Sequence, residues 1–572
     1  MASDRVKPHM PKDWNGILVV GECPTKADLS AGKPFCSNSG VELSRYMSGA
    51  GLEFKKSAFM YVSEVAGVDG NLSHMMKRPK KEFTDGKAVE FKPKYYIARE
   101  LSECFERVLN YILEIRPKFI IVLGEASLMA VCGERGIDDF RGSMEYFTMG
   151  DLQIPVLPTH STSRIFKQPH LRFLVSSDIG RVKGAIEKGW MEPEWDVVIN
   201  PTYCEAHAYL AAILQRLDSG EQVKLGVDLE TRRRFFIGTI GFATSDRAGI
   251  CIPIITPDWK PYWEDSDEER TLILLIKQIL EHKNVLVAGQ NYHYDAQYLA
   301  RHWGIRSHIW TDTMIAHHVV FSADIPKALH VISSIYCDYH QYWKDESHAE
   351  DDEKWEPSWS NWDSYQLYNV KDCCKTLDAA EVILRDAIVE PELKKAYQFQ
   401  MDMWPNLLKV MLRGNYYDWD ERKRQRAMLE EEMTALEGWM RRVVPEELMP
   451  LDPKKTPWWK SPSQLQTLFY TKLGQAVVTK KNAKGQYVPT TEDSALQTIM
   501  TREPILKPLC LAILLYRSMR VFYDTFLTGT PDYDGYLRSM YKLAGTSTYR
   551  LASTADVFDF GLNLQNLPKG DG

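Results

Sequence analysis

Hydrophobic residues in the first 192 positions fall in short unbroken runs separated by polar stretches. GILVVGE (16–22), KFIIVLG (118–124) and IPVLPTH (154–160) hold too few polar positions for a strand with one wet face, so they predict strands buried on both sides. Between them, YYIARELSECFERVLNYILEI (95–115) repeats apolar residues every three to four positions and predicts an amphipathic helix. Strands and helices alternating in this way predict a parallel α/β layer with functional loops at the strand ends. The pattern lapses around Met191-Glu-Pro-Glu-Trp195, which predicts a linker.

The periodicity then changes twice. KLGVDLET (224–231), FFIGTIGFAT (235–244) and AGICIPI (248–254) predict three consecutive strands. A helix (RTLILLIKQILEH), a strand (VLVAGQ) and a helix beginning near Asn291 follow, giving a mixed sheet with helices over 195–390. From 395 to 572 the pattern is mainly helical: QFQMDMWPNLLKVMLRG, ERKRQRAMLEEEMTALEGWMRRVV and SPSQLQTLFYTKLG, the last opened by a Ser-Pro start. Short strands and loops close the sequence. The expectation is an α/β multidomain chain divided at 1–192, 195–390 and 395–572, without internal repeats.

Composition narrows the setting. At 572 residues the chain exceeds what one core can organise, and 44% hydrophobic residues suffice for several cores. No run of about 18 apolar residues exists, so a membrane partner is not expected. The opening MASDRVKPHMPKDWNG lacks an apolar stretch after its charges, and the ten cysteines show no CxxC pair, which together point to a reducing cytoplasm. Net charge is −7, but it is patchy. Acid gathers at 264–269 and 345–353, base at 77–81, 232–234 and 422–426, and such runs read as solvated faces unless independent support gives them a phosphate-binding role.

The candidate chemistry lies in the middle segment. Asp228 and Glu230 are one residue apart in a strand, Asn291 and Asp295 are four apart, and so are Tyr368 and Asp372. Two apart on a strand, or four apart on a helix, side chains share a face, so these positions can converge on one cleft. Four carboxylates in one cleft repel one another, and divalent cations are the usual remedy. Hard cations take oxygen ligands and can activate water against a phosphodiester, which makes this a nuclease pattern. His293 and the His317-His318 pair read as hydrogen-bonded residues rather than zinc ligands. Asp312 fits either a helix N-cap or a member of the site.

D-x-E on a strand, N-x3-D opening a helix about sixty residues on, and Y-x3-D on a further helix resemble the three motifs of DnaQ-like 3′ to 5′ exonucleases, specifically the proofreading domain of family A DNA polymerases. The resemblance implies an RNase H-like fold and two Mg²⁺ or Mn²⁺ ions. It implies that Asp228, Glu230 and Asp372 hold one ion with its water, that Asp228 bridges to the second, and that Asp295 supports the second through water. It also implies that Tyr368 orients the attacking water and that Asn291 contacts the substrate strand.

Val20-Gly21-Glu22-Cys23-Pro24, Gly32-Lys33-Pro34-Phe35, Ser39-Gly40 and Pro158-Thr159-His160-Ser161 resemble family 4 uracil-DNA glycosylases over about residues 12–190. That resemblance implies that Phe35 stacks on a flipped base, that the loop at Glu22 positions water and that His160 stabilises the departing base. Three departures set this chain apart. Glu64 stands where the family reads the uracil edge with an Asn amide, and a carboxylate cannot offer the amide's paired donor and acceptor. The His-Pro-Ser motif has become His160-Ser161-Thr162, and the four cysteines of the family's iron-sulfur cluster have no counterpart, so no such cluster is expected. A retained DNA-binding or structural module is the expectation, with base excision as the alternative.

The third segment resembles the start of a family A polymerase domain, its thumb and the beginning of the palm. Leu407 to Asp418 follows the family's opening helix and turn, and Ser461-Pro-Ser-Gln-Leu465 its Ser-Pro-x-Gln-Leu signature. Gly545-Thr-Ser-Thr-Tyr-Arg-Leu-Ala-Ser553 stands where the family has T-A-T-G-R-L-S-S, with Tyr549 in place of a glycine, and Asn563-Leu-Gln-Asn-Leu-Pro568 is close to N-L-Q-N-[IL]-P. The resemblance implies primer-template contacts by Arg550, Asn563, Gln565 and Asn566, although Arg550 also reads as an ordinary surface cation. The carboxylate motifs of the palm and the fingers helix do not follow. The expectation is therefore a proofreading exonuclease and DNA-clamping part of a polymerase, competent to extend DNA only with a separate polypeptide carrying palm and fingers. The glycosylase-like head implies a bacteriophage protein working in the host cytoplasm.

Overall fold

Residues 5–67, 72–76, 88–93, 95–190, 192–343, 356–449, 457–482 and 486–566 are described by a computed structural model of the chain. The basic run at 77–81, the acidic run at 345–353 and residues 567–572 lie outside them. Strands β1 (Ile17–Gly21) and β2 (Ala58–Tyr61) precede a hairpin of β3 (Ala88–Lys92) and β4 (Tyr95–Ala98). Strands β5 (Phe119–Leu123), β6 (Glu145–Met149) and β7 (Leu152–Thr159) complete the first sheet, in the order β2-β1-β5-β7-β6. The predicted parallel layer is parallel through β2, β1, β5 and β7 and gains an antiparallel edge in β6.

The unbroken apolar runs are explained by two covered faces. Leu18, Val20, Ile120, Val122 and Val156 pack with Leu101, Phe105, Val108 and Ile112 of the Arg99–Ile115 helix. Val19, Ile121, Leu123 and Leu157 pack on the other side with Leu43, Met47, Leu174 and Ile179 of the Asn38–Gly49 and Leu171–Lys188 helices. Burying each such side chain contributes about 1.5–3 kcal/mol before the entropy of ordering it. The helix expected from Tyr95 begins at Arg99 instead, because Tyr95–Ala98 pairs with β3 and takes its backbone hydrogen bonds there.

The second sheet contains β8 (Asp196–Val198), β9 (Val223–Arg232), β10 (Phe236–Ala243), β11 (Ala248–Pro253), β12 (Val285–Gly289) and β13 (Thr311–Asp312), in the order β13-β12-β9-β10-β11-β8. It is mixed: β9, β10 and β11 are antiparallel, whereas β12 runs parallel to β9. The Trp362–Val382 helix crosses β9, β10, β11 and β12. Glycines set its height. A Cβ on Gly226 would sit 2.1 Å from the Cys373 carbonyl oxygen, and one on Gly241 2.6 Å from Asn369 Oδ1.

The chain forms two compact units, one of residues 1–412 with 542–552 and one of 413–541 with 553–572. Both sheets belong to the first. The Pro391–Arg413 helix, placed by sequence in the third segment, packs in the first unit through Trp404, which stacks on His293 with ring centroids 4.3 Å apart. The second unit is mainly helical, its core built from Met433, Trp458, Leu465, Leu496, Ile513 and their neighbours.

One residue of the charged runs read as solvated faces differs from that reading. Arg232 is buried, ion-paired to Glu356 at 3.0 Å and stacked over Trp259. The acids at 264–269 are exposed or half-buried, as expected, and they also open the Ser266–Leu280 helix, where Asp265 Oδ1 accepts from Asp267 N at 2.8 Å and negative charge suits the helix dipole.

Candidate active site

Strand alternation puts Leu225, Val227 and Leu229 on one buried face of β9 and Gly226, Asp228 and Glu230 on the face covered by the Trp362–Val382 helix. Because Gly226 and Gly241 lack side chains, that helix comes close enough to bring Asp372 to the strand. Ligand oxygens of Asp228, Glu230 and Asp372 all lie within 4.8 Å of one another. Asn369 Nδ2 donates to Asp228 Oδ2 at 3.1 Å and to the Asp228 carbonyl at 3.2 Å. Trp343 Nε1 donates to Asp372 Oδ1 at 2.6 Å.

Asp295 stands behind this trio rather than in it. It is buried, and its Oδ1 accepts from Leu229 N at 3.0 Å, which ties the Asn291-x3-Asp295 turn to the strand between the two acids. Burial, and then the Asp228 charge, push its carboxyl well above the usual carboxylate range. Tyr368 is hydrogen-bonded to Asp372, and burial followed by the Asp372, Glu230 and Asp228 charges holds its proton on.

Asn291 adopts φ 56°, and the helix it was expected to begin starts at His293. Asp312 explains that geometry. Its carboxylate accepts from Asn291 N and Tyr292 N and from Met314 N and Ile315 N, so one buried side chain caps two helix starts. Burial raises it to about 6. The histidines are engaged elsewhere: His293 with the Trp404 carbonyl at 2.9 Å, His317 with the Tyr336 hydroxyl at 3.2 Å and His318 with the Ser322 carbonyl at 2.8 Å.

Sequence reasoning missed Asn369 and Trp343. Asn369 lies three residues before Asp372, a spacing that already placed it on the same helical face. Trp343 carried no signal, since it precedes only an acidic run.

In the first sheet, Gly21, Glu22, Cys23, Thr25, Phe35, Ser39, Tyr61 and Ser161–Ser163 line a small pocket at the ends of β1 and β2. Phe35 holds φ 54° and packs on Tyr61 with centroids 4.9 Å apart. The Tyr61 hydroxyl accepts from Phe35 N and donates to buried Asp28, so the unusual backbone is braced from below. Glu22 Oε1 accepts from Ala126 N at 3.1 Å, and burial raises its pKa. Glu64 does not line the pocket: its carboxylate pairs with Arg107 at 2.9 Å. His160 is buried beside Arg164, 3.3 Å from Nδ1, and burial lowers it to about 4, so it is neutral near pH 7.

Of the expected primer-template residues, Arg550 is exposed in the first unit, in a loop that Tyr549 anchors. Tyr549 takes φ 58°, the conformation a glycine would supply, and its hydroxyl donates to the His318 and Val319 carbonyls at 3.2 and 3.3 Å. In the second unit, Asn563 Oδ1 accepts from Gln565 N at 3.2 Å and from the Ser553 hydroxyl, and Gln565 and Asn566 are exposed.

Residues 11–178 match the family model of the Uracil DNA glycosylase superfamily. A type-4 uracil-DNA glycosylase of Pyrobaculum aerophilum is 22% identical over 183 residues, which is 31% of this chain and 82% of that protein. The chain is of α/β multidomain class, and its N-terminal segment, residues 11–178, is similar to that superfamily. A solved structure, the POL domain of Pol1 from M. smegmatis in complex with DNA primer-template and dNTP, matches with a TM-score of 0.46 and 17% identity, over 65% of this chain and 56% of that one. Among the described residues, no helix is long and apolar enough to cross a membrane.

Proposed function

We propose that the acid cluster of the second sheet removes nucleotides from DNA 3′ ends. The observation that carries this is the approach of Asp228, Glu230 and Asp372 to within 4.8 Å, with Asp295 buried behind them. The oxygen-only donor set fits Mg²⁺ or Mn²⁺, with Asp228, Glu230 and Asp372 as the ligands. Such ions, when bound, supply an acidified water and charge neutralisation for phosphodiester hydrolysis.

The chain's own residues do the rest. Asn369 fixes the Asp228 carboxylate, and Trp343 fixes Asp372. Tyr368, one helical turn before Asp372, keeps its proton and gives it to the Asp372 carboxylate, which leaves its oxygen lone pairs to accept from a water beside the cluster. Asp295 keeps β9 and the Asn291 turn in register. Incubating the full chain with a 3′-labelled single strand and Mg²⁺ tests the reading. Loss of label is expected, and Asp228→Ala with Glu230→Ala should abolish it; unchanged degradation by that double variant refutes the assignment.

The superfamily match favours a second reading for the first sheet, recognition and excision of a uracil-type base in the pocket of Phe35, Tyr61 and Glu22. Its support is tempered by Glu64, committed to Arg107, and by His160, buried beside Arg164. The test uses the full chain carrying Asp228→Ala and Glu230→Ala, so that degradation does not intervene. Alkali-labile sites at uracil in duplex DNA would uphold the reading, and their absence at enzyme excess would end it. Clamping of primer-template by Arg550, Asn563, Gln565 and Asn566, with a separate polypeptide completing a polymerase, rests on the motifs at 545–553 and 563–568 alone.

A further inference from the structure

A short strap, residues 337–343, runs from the first sheet's layer to the acid cluster. The Leu171–Lys188 helix holds its start: Arg181 donates to the Ser334 carbonyl at 2.6 Å and to the Cys337 carbonyl at 2.7 Å. Trp190 stacks on Tyr339 with centroids 5.1 Å apart. Met144 N donates to the His340 carbonyl at 3.2 Å, and Tyr342 N donates to Ser143 Oγ at 2.9 Å. Phe140 packs against the Tyr342 ring. From the opposite side, Lys375 Nζ donates to the Tyr339 carbonyl at 2.8 Å. The strap ends with the Trp343 indole on Asp372.

Beneath it lies a buried polar joint. Arg141, 1% exposed, makes a two-pronged ion pair with Asp178 and donates to Ser334 Oγ at 2.7 Å. Buried charge of this kind tolerates little displacement, so the strap has a rigid base.

We infer that Trp343 is a positioning residue for Asp372, and that the N-terminal layer sets the geometry of the acid cluster by holding the strap that carries it. This rests on the function proposed above for the cluster. A carboxylate with two oxygens can accept from the indole with one and face the cluster with the rest of its lone pairs. Without the indole, one of the two donors that fix its orientation is lost and only the Tyr368 hydrogen bond remains to hold it. The N-terminal layer thereby serves the second sheet whether or not its own pocket acts on a base.

Trp343→Phe keeps a ring and removes the donor; Ser143→Ala, in the other layer, removes the acceptor for Tyr342 N. Mn²⁺ binding to the full chain, followed by calorimetry, should weaken by about 10-fold or more in Trp343→Phe, as for lost outer-shell partners of metal ligands, and by less in Ser143→Ala. Both effects act through one strap, so the double variant should fall short of the product of the singles. Excess Mn²⁺ should restore 3′ degradation, with the KM for the oligonucleotide unchanged, which a general loss of structure would not permit. Wild-type Mn²⁺ affinity in both variants overturns the inference while leaving the nuclease reading intact. A wild-type chain that binds no Mn²⁺ overturns both.

Discussion

Replacing Gly226 by alanine should damage catalysis far more than folding. Gly226 does not need a left-handed backbone, so the substitution carries no φ penalty. Its cost is contact: the new Cβ would lie 2.1 Å from the Cys373 carbonyl oxygen and 3.1 Å from Leu377 Cβ. Relief to ordinary van der Waals separation moves the Trp362–Val382 helix away from β9 by about 1 Å. Overpacking of this sort costs about 1–3 kcal/mol, offset by about 0.4–1 kcal/mol from the stiffer unfolded chain. A net loss of about 1–2 kcal/mol leaves most of the protein folded. Asp372 adjoins Cys373 and retreats with it, while Asp228 and Glu230 stay on the strand. A misplacement near 1 Å lowers turnover by about 10²-fold. Single-turnover degradation of a 3′-labelled strand, paired with a denaturant melt, separates the two effects. Gly241→Ala is the comparison: its Cβ would meet Asn369 Oδ1 and Cys373 Sγ at 2.6 Å, side-chain atoms rather than backbone, so the helix moves less and the smaller loss expected comes through Asn369, which holds Asp228. A Gly226→Ala chain that degrades DNA at the wild-type rate would refute the argument that helix height sets the cluster.

Asp178→Ala leaves Arg141 buried without its partner and should destabilise the first unit by about 3–5 kcal/mol, measured by urea melts; a change under about 1 kcal/mol would show the pair to be dispensable. His293, lowered to about 4 by burial, has a folded pKa below its unfolded 6.5, so its contribution is complete above pH 6.5 and is lost as pH falls toward 4. That amounts to about 3 kcal/mol, and melts from pH 7.5 to 4.5 should show a flatter decline in His293→Gln. Tyr549→Phe should raise amide exchange across 545–552 by removing bonds worth about 0.5–1.5 kcal/mol each, with unchanged exchange counting against the anchor.

Much of the geometry of the candidate site was legible in the sequence. The buried runs at β1, β5 and β7 and the strand triplet β9–β11 follow from local periodicity, because side-chain alternation and helical repeat report which faces are covered. The spacing of Asp228 and Glu230, and of Tyr368 and Asp372, put those residues on common faces for the same reason. The Tyr95 helix start was misread where a distant partner strand, β3, supplied hydrogen bonds that sequence neighbours could not reveal. Glu64 was read as facing the pocket, but Arg107, 43 residues away, takes its carboxylate. Arg232 was read as solvated, yet Glu356 and Trp259 enclose it.

The sequence by itself determined the acids, their spacing and the glycines that keep β9 and β10 thin. Which oxygens converge, and what holds them, was decided by tertiary structure. Trp343 meets Asp372 only because Ser143, Met144 and Arg181, some 150 to 200 residues earlier in the chain, pin the strap. Asp312 caps two helices only because β12 and β13 lie side by side. Local pattern specifies which faces must be buried, whereas the partner that buries each face is a long-range choice, made by packing and by the cost of leaving a buried polar group unpaired.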